Sequence, residues 1–313
     1  MNIQHLRYVV EVAKTGSLNK AAETLFIAQP NLSRAIKELE RDINIVIFER
    51  TAKGMRLTAD GEKFITDAQK VLHEIDEMER SVKEYASDKK RFSVSVPRAG
   101  YIGEAFSEFS LQIADEKDVE IIYNETNALN TIRNIIEENY RLGIIRYSEN
   151  YESQYAGFLE KKEFMTKTVT EFRYVLIMNK NCPLTLFSDI KYENLVDYIE
   201  IVHADPYVPS VPLDAVKKDE LPYCVRRRIC VFDRASQYEI LAKNTDAFMW
   251  ASPVSEEILE RYGLAQKVCD ENQKYYRDIL IYKKGYKFTE LDKAFERELF
   301  KSKSKLITGV ERE

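Results

Sequence analysis

Between Thr58 and Ala86 the chain carries Phe64, Ala68, Val71, Ile75, Met78, Val82 and Tyr85, apolar residues spaced 4, 3, 4, 3, 4 and 3 apart. This is the a/d repeat of a coiled coil, sustained over three heptads. No Gly or Pro interrupts residues 62–87. The spacing therefore predicts one helix from about Ala59 to Ala86, roughly 42 Å long at ~1.5 Å per residue. Asp60 and Glu62 stand in its first turn, where they complement the helix dipole. A long helix with one narrow apolar stripe cannot bury that stripe alone, so the seven residues are assigned to dimerisation through a partner helix. Packing of the stripe on the helix's own domain is the alternative.

The predicted helix divides the chain. Before it lie 58 residues; after it, Ser87-Asp88-Lys89-Lys90-Arg91 is polar and charged and reads as a hinge, placed at 88–91. The expected organisation is a small module over 1–58, a linker helix over 59–87 and a larger domain over 92–313. Net charge is −5 with 32% charged residues, which taken as an average argues against a nucleic-acid partner. The distribution reverses that inference. Residues 1–91 hold 16 Lys/Arg against 15 Asp/Glu, so the negative surplus lies beyond residue 91. Lys301-Ser302-Lys303-Ser304-Lys305, near the C-terminus, reads as a solvated basic run.

In the N-terminal part, Leu6, Val9, Val10 and Ala13 form the stripe of a first helix that ends at Gly16. Ser17 can cap a short second helix through Ala21, Ala22 and Leu25. Phe26-Ile27-Ala28 is a three-residue turn, and Gln29-Pro30 opens a third helix, Pro being favoured in a first turn. Leu32, Ala35, Ile36, Leu39 and Ile43 point one way; Pro30, Ser33, Arg34, Lys37 and Arg41 point the other. Asn44 suits the left-handed residue that closes the helix. This is the pattern of a helix-turn-helix. Ile45–Phe48 is then a short apolar run, and Arg50, Lys53 and Arg56 surround a turn at Gly54, as in a wing. Cations on such a hairpin reach phosphates beside the groove that the helix enters.

Residues 1–65 resemble the DNA-binding domain of the LysR-type transcriptional regulators. The matching stretches are Leu6-x-x-Val9, Gly16-Ser17-Leu18, Ala21-Ala22-x-x-Leu25, Gln29-Pro30-x-Leu32-Ser33, Ile36-x-x-Leu39-Glu40, Phe48-x-Arg50 and Leu57-Thr58-x-x-Gly61. Three positions depart from the pattern: Ala28 where Ser or Thr is usual, Asn44 where Gly is usual, and Asp60 where Ala is usual. Ala28 predicts a recognition helix with no side-chain cap, at a cost of ~0.5–2 kcal/mol. Within this motif, Gln29 and Arg34 are candidates for base edges, since Gln pairs bidentately with adenine and Arg with guanine. Ser33, Lys37, Arg50, Lys53 and Arg56 are candidates for phosphates, and Pro30 for a thymine methyl or simply for starting the helix. The resemblance also implies that the long helix joins two subunits, that promoter DNA is double-stranded, that the chain works as a homodimer or tetramer, and that RNA polymerase is a further partner.

Beyond the hinge, Phe92–Val96 alternates strictly and reads as a strand. Further runs follow at Val119–Tyr123, Leu142–Ile145, Phe172–Met178, Tyr198–Val202, Ala247–Trp250 and Ile279–Tyr282, with helical patterns such as Ala128–Glu138, Ser255–Tyr262 and Glu290–Phe300 between them. Strand–helix alternation predicts parallel sheets in an α/β fold, and ~220 residues suffice for two lobes with a ligand cleft between them. The segment also resembles, more loosely, the family's effector domain, best at Ile279-Leu280-Ile281-Tyr282-Lys283-Lys284-Gly285. That implies a two-lobed fold similar to periplasmic binding proteins, with lobe I over about 92–164 and 269–300 and lobe II over about 165–268. Asn244-Thr245-Asp246 stands where the family often has a Gly-x-Gly turn. The cleft candidates the architecture implies are Pro97, Arg98, Ala99, Tyr101, Thr126, Asn127, Arg146, His203 and Thr245. Helix N-termini with Arg98, Arg146 and His203 suit an anionic or carboxylated metabolite.

Rival functions find less support in the residues. An enzyme fused to a DNA-binding module lacks a signature here: there is no P-loop, Gly-x-Gly-x-x-Gly, Gly-x-Ser-x-Gly or His-Glu-x-x-His motif. His5, His73 and His203 are scattered, so neither a metal nor another cofactor is expected. A cysteine-based redox sensor would use Cys224 and Cys230. If the chain between them is extended, their Cα atoms lie roughly 20 Å apart, beyond disulfide reach, though Arg226, Arg227 and Arg228 could lower a thiol pKa. A DNA-binding module with no ligand leaves two-thirds of the chain without a role. Mean hydropathy of −0.41, no apolar run near ~18 residues and an N-terminus without a secretory layout predict a cytoplasmic protein away from membranes.

Overall fold

Asn2 opens the first helix, α1 (Ile3–Thr15), by accepting the backbone N–H of Gln4 on its side chain; Gly16 ends it at φ +62°. The computed structural model describes residues 2–51, 54–85, 89–203, 205–220 and 225–307, without the side chains of 50, 77 and 79–85. Ser17 caps α2 (Leu18–Thr24) through the N–H of Lys20. As Ala28 implies, α3 (Gln29–Ile43) starts with no side-chain cap; it closes on left-handed Asn44 at φ +53°. The strands β1 (Phe48–Thr51) and β2 (Gly54–Leu57) pair antiparallel with Phe48 opposite Leu57. The Glu40 carboxylate accepts the backbone N–H groups of Ile47 and Phe48 at 2.7 and 3.1 Å, fastening this wing to α3. Gly54 is required at the wing: φ is +119°, and a Cβ there would sit 2.6 Å from the Gly16 carbonyl oxygen.

The long helix is present as α4 (Ala59–Tyr85). Gly61 lets its first turn approach Ile47 closely, since a Cβ would meet the Ile47 carbonyl oxygen at 2.2 Å. Part of the proposed seam has another use. Ile65, Ala68 and Leu72 are buried in the core with Leu6, Val9, Val12, Leu32 and Leu39, and Phe64 packs against it. Arg7 on α1 pairs with Asp76 on α4 at 2.7 Å. Ala68 therefore belongs to the module's own core and not to a free stripe, because α1 covers the adjacent face. Val71 and Met78 are 43% and 63% exposed, and Ile75 is half-buried. The side chains of Val82 and Tyr85 lie outside the described residues.

The chain divides into two compact units, 1–89 and 90–313. Among its described residues, the second contains two five-stranded sheets. The first lobe runs β3 (Lys90–Val96), α5 (Gly100–Leu111), β4 (Val119–Glu125), α6 (Ala128–Glu137), β5 (Leu142–Ser148), α7 (Glu152–Lys161) and β6 (Phe164–Arg173). The second runs β7 (Val175–Asn179), β8 (Ile199–His203), α8 (Leu213–Glu220), β9 (Arg227–Val231), α9 (Arg234–Lys243), β10 (Ala247–Ala251), α10 (Glu256–Tyr262) and β11 (Leu264–Lys267). The chain then returns to the first sheet with β12 (Tyr275–Lys283) and α11 (Glu290–Leu306). Spatial orders are β4-β3-β5-β12-β6 and β11-β7-β10-β8-β9.

Two expectations change. The sheets are mixed: β3, β4 and β5 are parallel, as are β8, β9 and β10, whereas β12 and β7 run antiparallel to their neighbours. A strand that follows a crossover helix over its own sheet is parallel; a strand arriving from the other sheet is free of that constraint. The passage between sheets also lies at Tyr174, not near 165, because Phe164–Arg173 pairs with β12. That strand hides from a pattern search because Met165 to Thr168 are all exposed. The Phe172–Met178 run is thus the end of one strand and most of the next.

Candidate DNA-binding surface and ligand cleft

In the N-terminal unit, α3 buries Leu32, Ala35, Ile36 and Leu39 and exposes Pro30, Arg34 and Lys37 on the other face. Gln29 and Ser33 are half-buried at its first turns. With no side-chain cap, the helix N-terminus presents backbone donors to an incoming anion such as a phosphate. Arg56 is exposed on β2, opposite Glu49. Lys53 and the side chain of Arg50 lie outside the described residues. Sequence reasoning passed over Phe26. It is 95% exposed at φ +52° in the turn before α3, beside Gln29 in a shallow depression. Its only sequence signal is an aromatic residue inside a turn.

In the C-terminal unit a cavity of about 610 Å³ lies between the two sheets. Of the nine cleft candidates, Pro97, Arg98, Thr126, Asn127, Arg146 and His203 line it. Ala99, Tyr101 and Thr245 do not. Ala99 is buried as the residue before α5. Tyr101 is fully buried on α5 and donates its hydroxyl to Asp278 Oδ2 at 2.6 Å, behind the cavity wall. Thr245 is exposed in the turn preceding β10, at the opposite end of that strand from Trp250, which does line the cavity. Clefts in such sheets form at strand C-terminal ends, so a residue before a parallel strand faces away.

The cavity's two guanidinium groups are paired within the chain. Arg98 donates through both terminal nitrogens to Asp205 at 3.0 and 3.1 Å. Asn127 Nδ2 adds bonds to the Asp205 carboxylate and carbonyl at 3.1 and 3.0 Å. Arg146 donates from Nε and Nη2 to Asp278 at 2.7 and 2.6 Å and lies 4.7 Å from the Phe172 ring centroid. Burial works against the Arg146 cation, but Asp278 outweighs it and raises the guanidinium pKa. Burial, followed by the charge of Arg98, lowers the His203 pKa to about 4, so the imidazole is neutral at pH 7. The groups that made an anionic ligand attractive are therefore already neutralised. Sequence reasoning also missed Asp219 and Glu220 at the end of α8, together with Lys274, Tyr174, Tyr276 and Trp250. Lys274 and Tyr174 lie on the segments where the chain changes sheets, which only the tertiary fold brings to the cavity.

Cys230 is exposed on β9, while Cys224 lies outside the described residues. Cys182 and Cys269 are buried, and burial pushes both thiols up, away from the reactive thiolate. No group of three or more metal-binding side chains occurs among the described residues. No described helix is long and apolar enough to cross a membrane.

Residues 3–62 match the family model for the bacterial regulatory helix-turn-helix protein, lysR family. The HTH-type transcriptional regulator ClcR of Pseudomonas putida is 40% identical over 103 residues, covering 33% of this chain and 34% of that protein. BenM of Acinetobacter baylyi is 39% identical over 103 residues, with 33% and 32% covered. The match thus spans about a third of the length of these relatives. AlsR of Bacillus subtilis matches at 24% over 293 residues, 91% of each chain. Among solved structures, full-length CbnR complexed with its target DNA superposes with a TM-score of 0.54 at 16% identity, over 96% of this chain and 100% of that one. A full-length OxyR variant from Pseudomonas aeruginosa gives 0.52 at 17% identity, over 96% and 98%. These likenesses establish the same fold across both units. With the N-terminal match, residues 3–62 form a helix-turn-helix domain of the lysR family, and the chain as a whole is similar to LysR-type regulators in sequence and fold.

Proposed function

We propose that the chain is a cytoplasmic, sequence-specific regulator that binds double-stranded promoter DNA as a homodimer or tetramer and answers to a small molecule held in the cleft. The observation that carries the DNA reading is the two-faced α3, with an apolar side locked in the core and Pro30, Arg34 and Lys37 exposed opposite. In this reading Gln29 and Arg34 read base edges, while Ser33, Lys37, Arg50, Lys53 and Arg56 hold phosphates. One such helix reads few base pairs, so pairing through Phe64, Val71, Ile75, Met78, Val82 and Tyr85 supplies a second half-site. The effector acts by binding one arrangement of the assembly more tightly than another. RNA polymerase is the partner through which an altered arrangement changes transcription. Catalysis is no part of the proposal, and the named relatives are transcriptional regulators.

Selection of bound sequences from a random duplex library by the full chain tests the reading. Wild type should enrich a two-fold site with half-sites one helical turn, or a multiple, apart. Arg34→Ala should lose roughly 1–3 kcal/mol at one base position of that site. Equal weakening on every sequence would reassign Arg34 to phosphate. Failure to enrich any site would end the sequence-specific reading.

A further inference from the structure

The cavity holds more negative charge than positive. Among its lining side chains Arg98, Arg146 and Lys274 are the cations, and Glu200, Asp205, Asp219 and Glu220 the carboxylates. Asp205 is matched by Arg98, Arg146 by Asp278 behind the wall, and Glu200 by Arg228 at 2.7 Å. Among the described residues, Asp219 and Glu220 share Lys274, at 2.8 and 3.2 Å. One negative charge is left over at that end of the cavity. It lies where α8 finishes at Glu220.

The walls there are aromatic. Tyr174 and Tyr276 stack with centroids 3.9 Å apart, and Tyr276 donates its hydroxyl to Glu220 Oε2 at 2.7 Å. Tyr151, Tyr192 and Trp250 also line the cavity. Ring faces attract cations, more strongly where water is excluded.

We propose that the cleft takes a small molecule bearing a protonated amine, seated against Asp219 and Glu220 among the tyrosine rings. This rests on the cleft being the effector site. It replaces the carboxylated ligand expected from Arg98 and Arg146, both of which face internal carboxylates.

Calorimetric titration of the full chain with probes of one shape and three charges tests the proposal. Phenylalanine amide carries the ammonium and a carbonyl, 3-phenylpropionamide only the carbonyl, and 3-phenylpropionate the opposite charge. Cadaverine and glutarate extend the comparison to non-aromatic shapes. The amines should bind roughly tenfold or more tightly than their neutral or anionic counterparts. Asp219→Asn leaves the Lys274–Glu220 pair in place at a side chain 38% exposed, so the fold should survive. It should cost phenylalanine amide roughly tenfold in affinity and leave 3-phenylpropionamide unchanged. Tighter binding of either acid, or amine affinity indifferent to Asp219→Asn, overturns the amine and leaves the effector cleft standing. Binding of none of the five probes overturns both.

Discussion

His203 lines the cleft with an imidazole held neutral by its surroundings, its Nδ1 3.3 Å from the Val231 carbonyl oxygen. Burial and Arg98 set its folded pKa at about 4, against 6.5 ordinarily. Between those values the unfolded chain binds a proton that the folded chain refuses, so stability falls as pH drops from about 6.5 to 4. At ~1.4 kcal/mol per pKa unit the loss is about 2–4 kcal/mol. Urea unfolding of His203→Gln at pH 7 and pH 4.5 should show a smaller difference than wild type by most of that amount. Equal differences would mean that the imidazole already accepts a proton in the folded state. Asp278 illustrates the opposite arrangement: fully buried, it is matched by the Arg146 guanidinium and the Tyr101 hydroxyl. A carboxylate in such a place is tolerable only with complete pairing.

At the scale of the element, α4 presents two adjacent stripes with different tasks. Leu72, 8% exposed, belongs to the N-terminal core, and Val71, 43% exposed, to the face proposed for the partner helix. Leu72→Ala should therefore destabilise the N-terminal unit by about 2–5 kcal/mol in denaturant unfolding. Val71→Glu should leave its unfolding midpoint near wild type and weaken self-association, seen by sedimentation velocity as a dissociation constant raised roughly tenfold or more. If Val71→Glu unfolds the unit and leaves the assembly intact, the stripe assignment is reversed. The heptad count placed Ala68 in the seam because a/d spacing records only that one face is apolar. It does not record that α1 covers the neighbouring positions Ile65, Ala68 and Leu72.

Within the C-terminal unit as a whole, the two lobes are tied by polar contacts across the cleft. Asp205, just after β8, is held by Arg98 and Asn127 from the first lobe, and Tyr155 donates its hydroxyl to the Tyr207 carbonyl. Asp205→Ala removes the acceptor and leaves the Arg98 side chain, 9% exposed, without its partner. The cost should be about 1–3 kcal/mol. Amide exchange at the first turn of α6, after Asn127, should quicken in the full-length protein by roughly the same free energy. Unchanged exchange there would show that the lobes are held by their apolar contacts instead.

What the sequence determined by itself is what short-range chemistry controls. The cap at Ser17, the uncapped start of α3, left-handed Asn44 and the two-faced pattern from Pro30 to Ile43 are set within a few residues, and all are present. Pro97, Arg98, Thr126, Asn127, Arg146 and His203, which line the cleft, were named instead from the resemblance to the family's effector domain. The tertiary structure alone decided which charges those residues meet. Arg98 and Asp205 are 107 residues apart, and Arg146 and Asp278 are 132 apart. No local pattern connects them, and they meet because the chain leaves the first sheet at Tyr174 and returns at Tyr275. A guanidinium read in isolation invites an anion; the same guanidinium against its own carboxylate does not, because its charge and donors are already spent. The sign of the cleft is therefore a property of the fold.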